Sequence, residues 1–496
     1  MSEINNAYIG QKGYTLLKKN ITPKQERFLR NELTVKPFIP KSLVKPEEFP
    51  VYKESSSKFY IPRFWGLKTY GNPGALKISE GDNIDIAFSG SLRDYQETIV
   101  KTYMETVSKD QFNTGGLLEI PCGRGKTVLS LKIIAELKKK TLVIVHKGFL
   151  LNQWVERIHQ FLPNARIGKI QGPVIDINDK DIVIGMLQSL SMKYYPNDMF
   201  ESFGLTIVDE VHHISSKVFS RSLMKIITKY TLGLSATMNR KDGLSKVFKM
   251  FLGEIVYKEV RKNEDNVLVK AIEYEIEDEE FNKTEYDYRG NAKYSTMMSK
   301  LCNYNRRSEF ILNVIKNELN HNPNQQMIVL AHYRNLLKYL HDAIEHRNIA
   351  SVGYYVGGMK EKDLKISETK QVIIATYSMA AEALDIKSLT TLCMATPKTD
   401  ITQAIGRILR TKHTQPLVID IIDHQDIFQK QWKKRTSYYH KQKYKIIKTH
   451  CDTYEKNIEK EGYDAMWDEI KPRKRGRKKV YFDNTEDMVG KCLIKL

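Results

Sequence analysis

The chain has 496 residues, with 79 Lys plus Arg against 59 Asp plus Glu, a formal net charge of +20 and a pI near 9.3. A hydrophobic fraction of 41%, 28% charged residues and a mean hydropathy of −0.45 exclude a mainly disordered chain and a fibrous repeat, and the length gives room for roughly two to four domains. No stretch approaches roughly 18 unbroken apolar residues, so no membrane partner or span is expected.

The opening MSEINNAYIGQKGYTLLKKN has no apolar h-region, so no secretory signal is expected. Residues 1–82 read as a small accessory domain. A helix is expected from Thr22 to Glu32, and the Pro-, Gly- and aromatic-rich segments after it read as short strands and turns. From about 83 to 260, short apolar runs alternate with amphipathic stretches: Leu117 to Ile120, TLVIVH (141–146), DIVIGM (181–186), LTIVDE (205–210) and TLGLSAT (231–237). That rhythm predicts a buried parallel sheet with crossover helices. Residues 261–302 are acidic and without a clean period, and read as a linker or insert. The rhythm returns over 303–440 with QMIVLAH, QVIIATY, TTLCMAT and QPLVIDIID. The expected fold is therefore α/β, with two parallel-sheet domains in series and a basic extension over 441–496.

The strongest chemical signal is Pro121-Cys122-Gly123-Arg124-Gly125-Lys126-Thr127. A strand, a glycine turn and Gly-Lys-Thr at a helix start let backbone N–H groups wrap phosphates, with Lys126 reaching the β- and γ-phosphates and Thr127 ligating Mg²⁺. The strict phosphate-loop pattern has Gly where this chain has Ile120. Asp209-Glu210 at the end of LTIV supplies the matching carboxylates: Asp209 for Mg²⁺, Glu210 to orient and deprotonate the attacking water. ATP and Mg²⁺ are thus the expected cofactors. His212-His213 has no companion at ligand spacing, so zinc is not expected. Cys122 reads as a bystander, since no base is implied beside it. The five widely spaced cysteines read as free thiols in a reducing, intracellular compartment. On a helix, Gln403, Arg407 and Arg410 share one face, which is either a solvated stripe or a set of arginine fingers.

These residues resemble the motifs of superfamily-two helicases over most of 90–425. Leu92 to Gln96 resembles the adenine-reading element, with Arg93 and Gln96 as its contacts; PCGRGKT resembles motif I; His146-Lys147 with Gln153 and Trp154, motif Ia; Gly185 to Leu190, motif Ib. Val208 to His213 resembles motif II in a DEVH form, Leu234 to Thr237 motif III, Thr376 to Ile386 motif V, and Gln403 to Arg410 motif VI. The resemblance implies two RecA-like domains, nucleotide contact at Asp385, nucleic-acid contacts at Lys147, Gln188, Ser189 and Thr376, and coupling of hydrolysis to movement by Ser235 and Thr237. Motif Ia reads HKGFLLNQW and motif VI QAIGRILR, which are similar to the XPB-type and phage UvsW-type DNA helicases and not to DEAD-box RNA helicases. The chain as a whole resembles the late-transcription helicase of poxviruses and its relatives in other large DNA viruses. That implies action on DNA duplexes in viral transcription, repair or recombination, a viral RNA polymerase machinery as partner, and a place in the viral factory or virion.

The DEVH box alone leaves an RNA helicase open, with RNA or a DNA–RNA hybrid as substrate. Ile120, and Ala383 where the family carries Gly in motif V, leave open a nucleic-acid-binding scaffold with an impaired motor. The run KPRKRGRKK (471–479), with Lys474, Arg475 and Arg477, reads as a non-specific nucleic-acid clamp, a minor-groove hook, an import signal or a solvated tail.

Overall fold

The computed structural model describes residues 7–37, 46–121, 123–196, 198–213, 217–238, 244–259, 266–382, 384, 386–409, 411, 413–457 and 466–472. Cys122, Ala383, Asp385, Arg410, Lys474, Arg475 and Arg477 lie outside them. By contact the chain divides into two units: Met1–Glu264 with Gln325–Leu392 and Asp400–Thr414, and Asp265–Asn324 with Cys393–Thr399 and Gln415–Leu496.

The first unit opens with β1 (Tyr8–Gly10), β2 (Gly13–Leu17), α1 (Pro23–Glu32), β3 (Thr34–Val35), β4 (Phe49–Pro50), β5 (Lys53–Glu54), β6 (Lys58–Ile61), α2 (Arg63–Tyr70) and β7 (Ala75–Lys77). Five of the strands form a sheet in the order β5-β6-β2-β1-β7. The α1 helix starts where its sequence says it should: Thr22 accepts from Gln25 N while the Gln25 side chain accepts from Thr22 N, a reciprocal cap. Arg63 fastens this module to the larger sheet that comes after it in the chain. It is buried, donates to the carbonyls of Phe112, Thr228 and Lys229 and to Thr114 Oγ1, and burial pushes its pKa down to about 10.

Next come α3 (Asp94–Lys109), β8 (Gly115–Glu119), α4 (Lys126–Leu137), β9 (Thr141–Val145), α5 (Gly148–Phe161), β10 (Ile167–Gln171), β11 (Val174–Asp176), β12 (Ile182–Met186), α6 (Leu187–Met192), β13 (Leu205–Val208), α7 (Lys217–Leu223), β14 (Tyr230–Ser235), α8 (Ser245–Leu252) and β15 (Ile255–Lys258). The strands order as β11-β10-β12-β9-β13-β14-β8-β15, parallel except for β11. The central strands are apolar on both faces because helices cover both. Ile120 is fully buried in this core and its N–H bonds Ser235 O at 2.8 Å, so a β-carbon at this position of the loop fits the packing.

The chain continues through β16 (Leu268–Tyr274), α9 (Glu279–Asn282), α10 (Tyr294–Asn303), α11 (Asn305–His321), β17 (Gln326–Ala331), α12 (Arg334–His346), β18 (Val352–Tyr355), α13 (Glu361–Glu368), β19 (Val372–Thr376), α14 (Tyr377–Glu382), β20 (Leu389–Met394), α15 (Thr402–Ile408), β21 (Leu417–Asp423), α16 (Asp426–Lys441), β22 (Lys445–His450), α17 (Cys451–Asn457) and β23 (Asp468–Glu469). In the first unit β17 and β18 pair parallel with either side of β19. In the second unit β21 and β22 flank β16 in parallel, and β23 pairs antiparallel with β22. The fold is α/β with two parallel, RecA-like strand arrays.

The expected linker 261–302 thus carries a full strand, β16, and the expected basic extension contributes β22 and β23. The reason is charge burial. Lys270 in β16 is 5% exposed and pairs at 2.8 Å with Glu318, itself 1% exposed. The Lys270 charge is thus neutralised in the core, while the acids that follow β16, Glu275, Glu277, Glu279 and Glu280, are exposed. Among the described residues no helix is long and apolar enough to cross a membrane.

Candidate nucleotide and coupling site

The loop after β8 is shaped by two glycines in the left-handed region, Gly123 (φ 81°) and Gly125 (φ 82°), the second being the N-cap of α4. A β-carbon at Gly125 would also stand 2.5 Å from Gln96 Nε2 and displace that amide. Gln96 ties the upstream element to this loop. Its oxygen accepts from Arg93 N at 3.0 Å and its amide nitrogen donates to Arg124 O at 3.1 Å. Arg93 is exposed and approaches Tyr95 Oη at 3.4 Å. Arg124 lies 4.0 Å above the Tyr95 ring and pairs with Glu259 through Nε at 2.7 Å. Glu259 was not among the sequence candidates; it sits past β15, where no motif marks it. Pro121 and Thr127 lie on the two flanks of the loop, Thr127 as the second residue of α4.

Lys126 Nζ is 2.8 Å from Glu210 Oε1. Glu210 leaves β13 with φ +49°, a conformation that costs a non-glycine residue about 1–3 kcal/mol and is found where a turn must aim a side chain. Burial alone would raise the Glu210 carboxyl; Lys126 and then His212 outweigh it and hold the group well below the usual carboxylate range. Asp209 is 7% exposed, and burial together with the Glu210 charge pushes its carboxyl up. Two donors fix it: Trp154 Nε1 to Oδ2 at 2.9 Å and Glu210 N to Oδ1 at 2.9 Å. Trp154 carried a motif in the sequence but not this role. Hard oxygen donors on Thr127 and Asp209 suit Mg²⁺.

His212 joins three motifs. Its Nδ1 lies 3.2 Å from Glu210 Oε2 and 2.7 Å from Ser235 Oγ, and its Nε2 lies 3.2 Å from the Gln403 amide nitrogen. A Gln403 N–H donating to Nε2 leaves the ring proton on Nδ1, facing Glu210 and Ser235. Ser235 Oγ in turn donates to Thr237 O at 2.6 Å. Sequence reasoning tested His212 only as a zinc ligand and missed this relay, because it depends on α15, almost two hundred positions further along. Arg407 is buried and donates to Leu384 O at 2.8 Å. The solvated-stripe alternative therefore does not describe Arg407.

Of the nucleic-acid candidates, Lys147 is the N-cap of α5 and Gln188 is exposed at the start of α6. Ser189 Oγ accepts from Gly172 N at 2.9 Å, which ties its hydroxyl to the neighbouring turn. Thr376 ends β19 with its hydroxyl 3.2 Å from Ser378 Oγ.

Motors that turn nucleotide hydrolysis into movement along nucleic acid are built in this way, and the class is that of ATP-dependent superfamily-two helicases. Residues 89–240 match the family model "Type III restriction enzyme, res subunit". The chain is 35% identical over 450 residues to the "Putative ATP-dependent RNA helicase L396" of Acanthamoeba polyphaga mimivirus, covering 88% of this chain and 85% of that protein. It is 26% identical to "Putative helicase 161L" of Invertebrate iridescent virus 6, over 80% of this chain and 91% of that one. It is also 27% identical to a "Putative ATP-dependent RNA helicase" of African swine fever virus, over 67% and 69%. The chain belongs to this family of viral superfamily-two helicases.

Proposed function

We propose that the protein hydrolyses ATP to translocate on or unwind nucleic acid, with duplex DNA as its substrate. The observation that carries the motor reading is the continuous bridge Lys126–Glu210–His212–Gln403, which links the phosphate loop, the carboxylate strand and α15. Lys126 holds the β- and γ-phosphates. Glu210, kept ionised, takes a proton from the attacking water. Arg407 and Arg410 neutralise charge that develops on the transferred phosphoryl group. Thr127 and Asp209 would hold Mg²⁺, which when bound would supply charge neutralisation at the phosphates. Arg93 and Gln96 address the base, and Asp385 the nucleotide from motif V. His212 carries the state of Glu210 to Ser235, Thr237 and Gln403, so that loss of the γ-phosphate is felt in the segments that grip the strand. Lys147, Gln188, Ser189 and Thr376 form that grip, mostly through phosphates, which makes binding steeply salt-dependent and weakly sequence-dependent.

The preference for DNA rests on the motif Ia and motif VI forms, which are similar to XPB- and UvsW-type DNA helicases, and on the likeness to the poxvirus late-transcription helicase. That likeness also supports a role beside a viral RNA polymerase. The second reading, an RNA helicase, is favoured by the names of the mimivirus and African swine fever virus relatives. Strand displacement with ATP on matched DNA, RNA and hybrid duplexes tests the choice. Displacement of DNA duplexes is expected; displacement of RNA duplexes alone would assign the second reading, and no ATP turnover with any polymer would assign a binding scaffold.

A further inference from the structure

The five-stranded N-terminal sheet has one face in the core and one that no motif accounts for. Ile9, Tyr14, Leu16, Phe59 and Ile61 point into the core. The opposite face is set by register. Tyr8 pairs with Thr15, and Thr15 with Tyr60, so the two tyrosines stand on either side of a small residue in one cross-strand row. Lys53 extends the row beyond Tyr60, and Lys77 lies on β7, two positions along the strand from Tyr8's partner Ala75. Gly10 leaves room for the Tyr8 ring to lie along the strand, since a β-carbon there would stand 3.2 Å from Tyr8 Cε2. Ammonium groups stand over the rings: Lys77 at 4.9 Å and Lys58 at 5.5 Å from the Tyr8 centroid, Lys58 also donating to Tyr8 Oη at 3.1 Å, and Lys12 at 5.2 Å from the Tyr60 centroid. Lys12, Lys53 and Lys77 are exposed and both tyrosines are half-buried. Among the described residues no strand position on this face carries an acid, and the nearby Glu54 is taken up by Lys18 and Arg30.

Two half-open aromatic rings two strands apart, about 10 Å, each with an ammonium on a flexible stem over it and no carboxylate on the face, have the chemistry of a stacking platform. Rings take base faces and ammonium groups take phosphates. We infer that this face binds single-stranded nucleic acid, with Tyr8 and Tyr60 stacking bases and Lys12, Lys58 and Lys77 contacting the backbone. Nothing in the set reads the 2′-hydroxyl or a base edge, so DNA and RNA strands bind alike and without sequence preference. A duplex keeps its base faces stacked inside and binds this face less well. The inference rests on the proposed nucleic-acid motor and adds to it a holding site for a strand outside the motor segments.

The test uses the full chain. Oligonucleotides dT15 and rU15 bearing a single photoreactive uracil are cross-linked and the modified peptides mapped, and affinity is read by fluorescence anisotropy against salt. Cross-links at Tyr8 or Tyr60 are expected. Tyr8→Leu with Tyr60→Leu should weaken single-strand binding by about fivefold to a hundredfold for each base left unstacked. Tyr8→Phe with Tyr60→Phe should bind as the parent does. Lys12→Ser with Lys77→Ser, which leaves the rings untouched, should lower the salt slope by about 1.4 for two single-strand phosphate contacts. ATP turnover without polymer should be unchanged in all of them. Cross-links confined to other segments, or ring and lysine variants that bind as the parent does, would overturn the inference. Polymer-stimulated turnover of the parent chain reports separately on the motor reading, so the failure of one is distinguishable from the failure of the other.

Discussion

At the scale of single residues, the two carboxylates after β13 are separated in role by their surroundings. Glu210 is held charged by Lys126, and Asp209 is held in place by Trp154 and the Glu210 amide. Glu210→Gln should therefore still bind ATP, and its turnover should fall by roughly 10²–10⁴-fold, as expected for removal of a general base. Lys126→Ala should lose both binding and turnover, because Arg124 is engaged by Glu259 and Tyr95 instead of facing the phosphates. Nucleotide binding by a fluorescent analogue, beside steady-state ATPase, distinguishes the two. His212 gives a sharper test. His212→Ala and Gln403→Ala should each depress polymer-stimulated turnover more than unstimulated turnover. The double variant should then be hardly worse than either single one, a non-additivity of about 0.5–3 kcal/mol. Fully additive effects would show that the 3.2 Å approach of Gln403 to His212 carries no coupling.

At the scale of elements, the core strands were legible because apolar runs buried on both faces need no context to be recognised. That the glycine loop and the acid pair each follow a strand was legible for a related reason: such sequences have few other uses at strand ends. What stayed hidden is what only tertiary pairing makes possible. The Lys270 charge inside β16 finds its partner only in Glu318 of α11, and the Glu259 and Trp154 contacts join positions far apart in sequence. The second unit has more of the same. Arg307 is fully buried against Asp423, with Nε to Oδ1 at 2.6 Å and Nη1 to Ala395 O at 2.9 Å. Arg435 holds Asp420 at 2.8 Å, where Tyr439 also donates. Burial already pushes the Asp423 carboxyl up against the pull of Arg307. Arg307→Met strands that carboxylate and should destabilise the chain by about 3–5 kcal/mol, read from the urea midpoint; Arg307→Met with Asp423→Leu should recover most of that stability.

At the scale of the whole molecule, the charge of +20 is expected to act through phosphate contacts spread over several segments. Removing residues 473–496 takes away most of KPRKRGRKK and no motor motif, so unstimulated ATPase should persist. Affinity for duplex DNA at low salt should fall, and the slope of log K against log salt should drop by about 0.9 for each phosphate that the truncated chain no longer neutralises. A weakening confined to A·T-rich duplexes would point to a minor-groove hook instead. One bridge of residues is proposed to connect hydrolysis to the nucleic-acid grip. It is tested most directly by measuring ATP turnover of the parent chain and of Glu210→Gln with no polymer, single-stranded DNA, duplex DNA and RNA. Turnover by the parent should rise when DNA is added, and turnover by the variant should stay low throughout. Equal turnover with and without every polymer, or a Glu210→Gln chain as active as the parent, would contradict it.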